Sequence, residues 1–152
     1  MTTLETRSGL KLDIRLAEAS DEALIRQMFN TVTERDRQFR FIDMPQGERS
    51  QRVENFMAFA GDQLAATATL ARDASLEKAE VVNGVHENWK GHGIGCTMLE
   101  YAILAAKERG VKILWAIEEH ANPAGMKASL GLGFTASPIE DDASIVRLEM
   151  RF

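Results

Sequence analysis

At 152 residues, 45% hydrophobic and 27% charged, the chain has the length and balance of one globular domain, spanning 1–152, that can bury its apolar surface without metal or disulfide support. A formal charge of −5 argues against nucleic acid as the main partner, since phosphate backbones call for a basic surface. Eleven glycines and three prolines, scattered and without a fixed period, exclude fibrous, repeat and low-complexity architectures. The longest largely apolar stretch, Phe56 to Ala71, is broken by Gly61, Asp62 and Gln63, so no membrane span is expected. Met1-Thr2-Thr3-Leu4-Glu5 lacks the basic region and apolar core of a secretory signal. The single Cys96 has no intrachain disulfide partner and fits a reducing compartment, so the expected location is the cytoplasm. Nothing marks Cys96 as an activated nucleophile, and it reads as a small apolar side chain on a helix.

Lys11 to Leu16 alternates polar and apolar residues, the pattern of a half-buried strand. Ser20 is then placed to cap a helix with Asp21 and Glu22 in its first turn and Leu24, Ile25, Met28, Phe29 and Val32 on one face. Residues 34–52 are charged and carry Pro45 and Gly47, which reads as loops and a short helix. Phe56 to Ala60 and Leu64 to Leu70 flank Gly61-Asp62-Gln63 as a hairpin would. Leu76 to Val85 is the next strand, and the uncharged run Val81-Val82-Asn83-Gly84-Val85 suits a central strand buried on both faces. The helix after Gly95 sets Ile94, Met98, Tyr101, Ala102 and Ala105 on one face and closes at Lys107, Arg109 and Gly110. Val111 to Ile117 is a compact apolar strand, and Asn122 and Pro123 open a helix that ends at Gly131-Leu132-Gly133-Phe134. Ile145 to Met150 alternates again and ends the sheet. Interleaved strands and helices with hairpins at both ends predict an α/β (α+β) fold. Its sheet is mixed and mostly antiparallel, with about six to seven strands, about four helices and one strand–helix–strand crossover.

Lys90-Gly91-His92-Gly93-Ile94-Gly95 is a glycine-rich turn running from a buried strand into a helix. Such a turn aims several backbone N–H groups at one point, and the positive end of the helix dipole adds to their field, which is a geometry for phosphate. Glycine serves it by allowing positive φ and close approach. The spacing Gly91-x-Gly93-x-Gly95 fits neither the P-loop nor the dinucleotide fingerprint, and a bare helix entry is the competing explanation.

The stretch from Val85 to Leu99 resembles the acetyl-CoA signature of the GNAT superfamily of N-acetyltransferases, whose core reads (Gln/Arg)-x-x-Gly-x-(Gly/Ala). Lys90, Gly93 and Gly95 occupy the core positions, with Lys a departure at the first. Asn122, eleven residues before Gly133-Phe134, matches the spacing of the family's last block, so the resemblance covers about the C-terminal half. The resemblance implies a GNAT fold whose sheet splays after the strand that precedes the turn, with the pantetheine arm of acetyl-CoA in the gap. It implies that the backbone of Val85 and Glu87 bonds that arm. Lys90 and Gly91 belong to the binding turn, the amides of His92, Gly93, Ile94, Gly95 and Cys96 and the Thr97 hydroxyl hold the pyrophosphate, and Asn122 contacts the cofactor from the opposite wall. A plain helix N-cap is the other role open to Asn122.

Acetyl transfer to an amine requires the amine to lose a proton, because an ammonium has no lone pair. Among these enzymes the chain is most similar to the catalytic domain of bacterial Pat-type protein-lysine acetyltransferases. Ala79-Glu80-Val81 and the run Trp89 to Gly95 align with that group without a gap, which puts Glu80 on the catalytic glutamate position. Thr33 to Phe41 loosely resembles an early segment of the same group. A solvent-facing carboxylate beside Lys78 is the alternative for Glu80. Many family members protonate the leaving thiolate with a tyrosine four residues before Gly-Phe; that position is Ser129, which leaves the general acid unassigned. A thiolate is stable enough near neutral pH to leave without one.

His86, His92 and His120 follow no metal-ligand spacing, so no metal is expected, although His92 falls beside the implied phosphate. Glu118, Glu119 and His120 are candidates to line the acceptor site or simply a solvated loop, and Trp89 and Trp115 read as packing residues. The expected activity is therefore N-acetyl transfer from acetyl-CoA to a primary amine. Protein lysine or a small amine such as a polyamine, amino acid or antibiotic is the acceptor, with no nucleic acid or membrane partner and a homodimer left open. A non-catalytic acyl-CoA sensor is the rival from another class.

Overall fold

The computed structural model describes residues 2–29 and 52–152. The expectations for Val32, for the stretch between 34 and 51, and for the resemblance of Thr33 to Phe41 lie outside these residues. The strands are β1 (Thr2–Glu5), β2 (Lys11–Leu16), β3 (Val53–Ala60), β4 (Gln63–Arg72), β5 (Lys78–Val85), β6 (Ile113–Glu119), β7 (Thr135–Ile139) and β8 (Asp142–Arg151). The α-helices among the described residues are α1 (Glu22–Phe29), α2 (Ile94–Glu108) and α3 (Pro123–Gly131). The strands form one sheet in the order β1-β2-β3-β4-β5-β6-β8-β7. Every neighbouring pair is antiparallel except β5 and β6, which are parallel and joined through α2, as the single crossover required.

Alternation along β3 shows how the sheet is covered. Phe56 and Ala58 belong to the large core with Leu12, Leu70, Val81, Met98, Ala102 and Leu114, whereas Met57 and Phe59 meet Met28, Leu64 and Ile25 of the opposite layer. Thus α2 packs on one face and α1 on the other. The expected apolar face of α2 is present, and Tyr101 sets its ring edge-on to Phe56 at 5.1 Å. On α1, Met28 is buried and Ile25 half-buried, but Leu24 points away from the core and is exposed.

Several boundaries differ from the sequence reading. Ser20 does not cap α1: a 3₁₀ turn, Ala19–Asp21, precedes the helix, and the Asp21 carboxylate accepts the Glu18 N–H at 2.7 Å and both terminal nitrogens of Arg15 at 2.7 and 2.8 Å. A carboxylate with a charged partner outcompetes a serine hydroxyl for this position. Leu76 is not in a strand; it takes φ 64° in a turn tied by Asp73 and Ser75. The fifth-strand run is not buried on both faces either: Val82, Asn83 and Val85 are half-exposed, while β4 is the strand buried along nearly its whole length. The eight strands exceed the expected count through β1 and β7, and β6 runs two residues later than Val111–Ile117.

Candidate active site

The site begins where the sheet opens. β5 and β6 pair only at Lys78↔Ile113, Ala79↔Leu114 and Glu80↔Trp115, although β5 continues to Val85 and β6 to Glu119. Beyond Trp115, β6 stays paired with β8 on its other side as far as Glu119, so the two parallel strands diverge into a wedge. The His86 N–H donates to the Ala65 carbonyl on β4 at 2.8 Å. Strand alternation then turns the main-chain groups of Asn83 and Val85 the other way, into the wedge. These are the exposed backbone groups onto which an extended chain can add.

The glycine turn closes the open end. Gly91 and Gly93 take φ 84° and 77°, which only glycine adopts readily. Gly95 has no such need: a Cβ there would meet Val85 Cγ2 at 3.8 Å, an ordinary contact. Gly93 is the N-cap of α2 and supplies no side-chain cap. The N–H groups of Ile94, Gly95 and Cys96, in the first turn, have no carbonyl of their own helix to bond. Thr97 donates both its N–H and its hydroxyl back to the Gly93 carbonyl, at 3.3 and 3.2 Å, fixing that carbonyl along the helix axis. The result is an array of unshared donors at the positive end of a fifteen-residue helix, a site for anionic oxygen. Lys90 and His92 are exposed beside it, His92 against the Trp89 ring at 5.9 Å, and Glu87 is exposed in the 3₁₀ turn Glu87–Trp89.

Glu80 stands at the apex of the wedge, in the last β5–β6 pair, and is buried on the face away from α2, flanked laterally by Ala71 and Trp115. A solvent-facing carboxylate is therefore not its situation. Trp115 carries the Arg147 guanidinium over its ring at 4.4 Å. On the opposite wall, Asn122 caps α3: its Oδ1 accepts the Gly125 N–H at 3.2 Å and its Nδ2 donates to Glu118 Oε1 at 3.2 Å. The same Glu118 oxygen accepts the Glu119 N–H at 3.1 Å. Glu118 is thus locked to the start of α3, and a Cβ on Gly125 would collide with both side chains at 2.6 and 2.9 Å. Glu119 projects to the other face of β6 by alternation, and His120 is exposed on a surface cavity of about 440 Å³ with Pro123, Met126, Lys127 and Leu130. Ser129 is buried in α3.

Burial, with Glu100 alongside, raises the Cys96 thiol above its ordinary range, the opposite of an activated nucleophile. One residue of the wedge was not singled out from sequence. The Asn83 side chain, on the α2 side of β5, donates through Nδ2 to the Gly95 carbonyl at 3.4 Å while its Oδ1 is buried without a partner. A lone amide in the uncharged run Val81–Val85 was the available signal, and a buried acceptor of this kind awaits a donor. Among the described residues no three His, Cys, Asp or Glu side chains gather as metal ligands do. No helix among them is long and apolar enough to cross a membrane.

A parallel pair that opens at mid-length beside a glycine-led helix sets an open strand edge next to an anion site. The model of the Acetyltransferase (GNAT) family matches residues 19–134, and the chain belongs to this family. Its fold is shared with the GNAT domain of S. lividans Pat, at a TM-score of 0.79 and 20% identity over 99% of this chain and 96% of that one. It is shared too with the ribosomal-protein-S18-alanine N-acetyltransferase of Escherichia coli (TM-score 0.72, 19% identity, 92% and 93% covered). A candidate acetyltransferase of Salmonella typhimurium, solved with its cofactor acetyl-CoA, is similar to the same degree (TM-score 0.71, 18% identity, 92% and 93% covered). No curated protein sequence matches the chain.

Proposed function

We propose that the protein transfers an acetyl group from acetyl-CoA to a primary amine, with Glu80 as general base. The observation that carries this reading is the parting of β5 and β6 after the Glu80↔Trp115 pair, directly beside the uncapped start of α2. The residues present fit acetyl-CoA: an open strand edge at Asn83 and Val85, a buried acceptor at Asn83 Oδ1, and free amides from Ile94 to Cys96. When bound, the cofactor supplies the acetyl group as a thioester. The amides of His92, Gly93, Ile94, Gly95 and Cys96 hold the diphosphate, helped by Lys90, His92 and the Thr97 hydroxyl, with Gly91 and Gly93 giving the turn its path. Val85 and Glu87 bond the pantetheine arm by their main chain, and Asn122 keeps one Nδ2 hydrogen for it beyond the bond to Glu118.

The amine approaches from the α1 face, where the Glu80 carboxylate lies buried at the apex, and its ammonium gives one proton to that carboxylate. The freed nitrogen then attacks the thioester carbon, and the second proton leaves the nitrogen to solvent as the C–S bond breaks. Ser129 is a poor acid, so the thiolate leaves unassisted. Protein lysine is the acceptor suggested by the alignment of Glu80 and the glycine turn with the Pat-type group. The test is an acetyl-CoA turnover assay against lysine peptides, polyamines, amino acids and aminoglycosides. Thiol release with at least one amine is expected, fastest with lysine peptides. Coenzyme A binding without turnover on any amine would favour the sensor reading.

A further inference from the structure

The turn between β1 and β2 touches the glycine turn across most of the chain. The Ser8 hydroxyl donates to the His92 carbonyl at 2.8 Å. Ser8 is itself held by Thr6, whose Oγ1 lies 2.8 Å from Ser8 Oγ and accepts the Leu10 N–H at 3.1 Å; Thr6 is 4% exposed, and its Cβ would be 4.0 Å from a Cβ on Gly93. In a trans peptide the carbonyl and the following N–H point in opposite directions. With the His92 oxygen drawn to Ser8, the Gly93 N–H is turned away from the β1–β2 turn. With the Gly93 oxygen drawn to Thr97, the Ile94 N–H points out of the helix end. Two tethered carbonyls thus fix two consecutive donors.

We propose that the β1–β2 turn is a working part of the diphosphate site: Ser8, backed by Thr6, is a positioning residue for the Gly93 amide. This rests on the coenzyme A reading of the same site.

Calorimetric titration with coenzyme A tests it. Ser8→Ala should raise the Kd by about five- to tenfold, the size of one lost hydrogen bond that holds a donor in place, equally for coenzyme A and its 3′-dephospho form, which share the diphosphate. Ser8→Thr keeps the hydroxyl and should restore binding, which a merely destabilised turn would not do. Wild-type affinity in Ser8→Ala would overturn the role of this turn alone. Failure of the wild-type protein to bind coenzyme A would instead overturn the cofactor reading, and this one with it.

Discussion

At the scale of single residues, the three glycines of the turn separate into different physical roles. Gly93 takes φ 77°, so Gly93→Ala forces a left-handed conformation that costs about 1–2 kcal/mol, and its melting temperature should fall. Gly95 lies in the helix with ordinary φ, so Gly95→Ala should keep or raise the melting temperature. The family core accepts alanine at this position and the added methyl meets only Val85, so that variant should also keep its coenzyme A affinity in calorimetry. Glu80→Gln keeps the shape and removes the base; kcat should fall by roughly 10²–10⁴-fold while coenzyme A affinity holds. A normal rate in that variant would end the general-base assignment. The glycine turn was legible in the sequence because it is a short contiguous pattern, whereas Glu80 was singled out only through the resemblance to the Pat-type group. The Ser8 bond to His92 was not, since it joins residues 84 apart and no local pattern encodes it.

At the scale of elements, the strands with clean alternation, Lys11 to Leu16 and Ile145 to Met150, were readable, and so was α2 from its apolar stripe. β1 has four residues, and β7 carries Pro138 with nearly every side chain exposed, so neither leaves a periodic trace; each exists because a neighbour offers an edge. The start of α1 was misread because its cap depends on Arg15, in the preceding strand. Two donors from Arg15 and the Glu18 N–H hold the Asp21 carboxyl at about 2, below the ordinary carboxylate range. Its folded value being the lower one, Asp21 stabilises the fold above about pH 4, and the contribution fades as pH falls toward 2. Thermal melts of Asp21→Asn and wild type should therefore differ at pH 6 and converge near pH 2; a constant gap would refute the link.

At the scale of the whole molecule, the core under α2 and the opening of the sheet are one construction. Leu114 is fully buried on β6 one residue before the last pair with β5, where packing hands over to the wedge. Leu114→Ala should cost about 2–5 kcal/mol in denaturant unfolding. The mixed sheet and its one crossover followed from the order of strands and helices, but the wedge itself followed only from family resemblance, because divergence of two strands is a property of their partners. The most direct measurement of the central claim is backbone amide NMR during titration with coenzyme A. Shifts and exchange protection at Asn83, Val85, Ile94, Gly95 and Cys96, saturating together, are the predicted result. Saturable binding that leaves those five amides unmoved would contradict it.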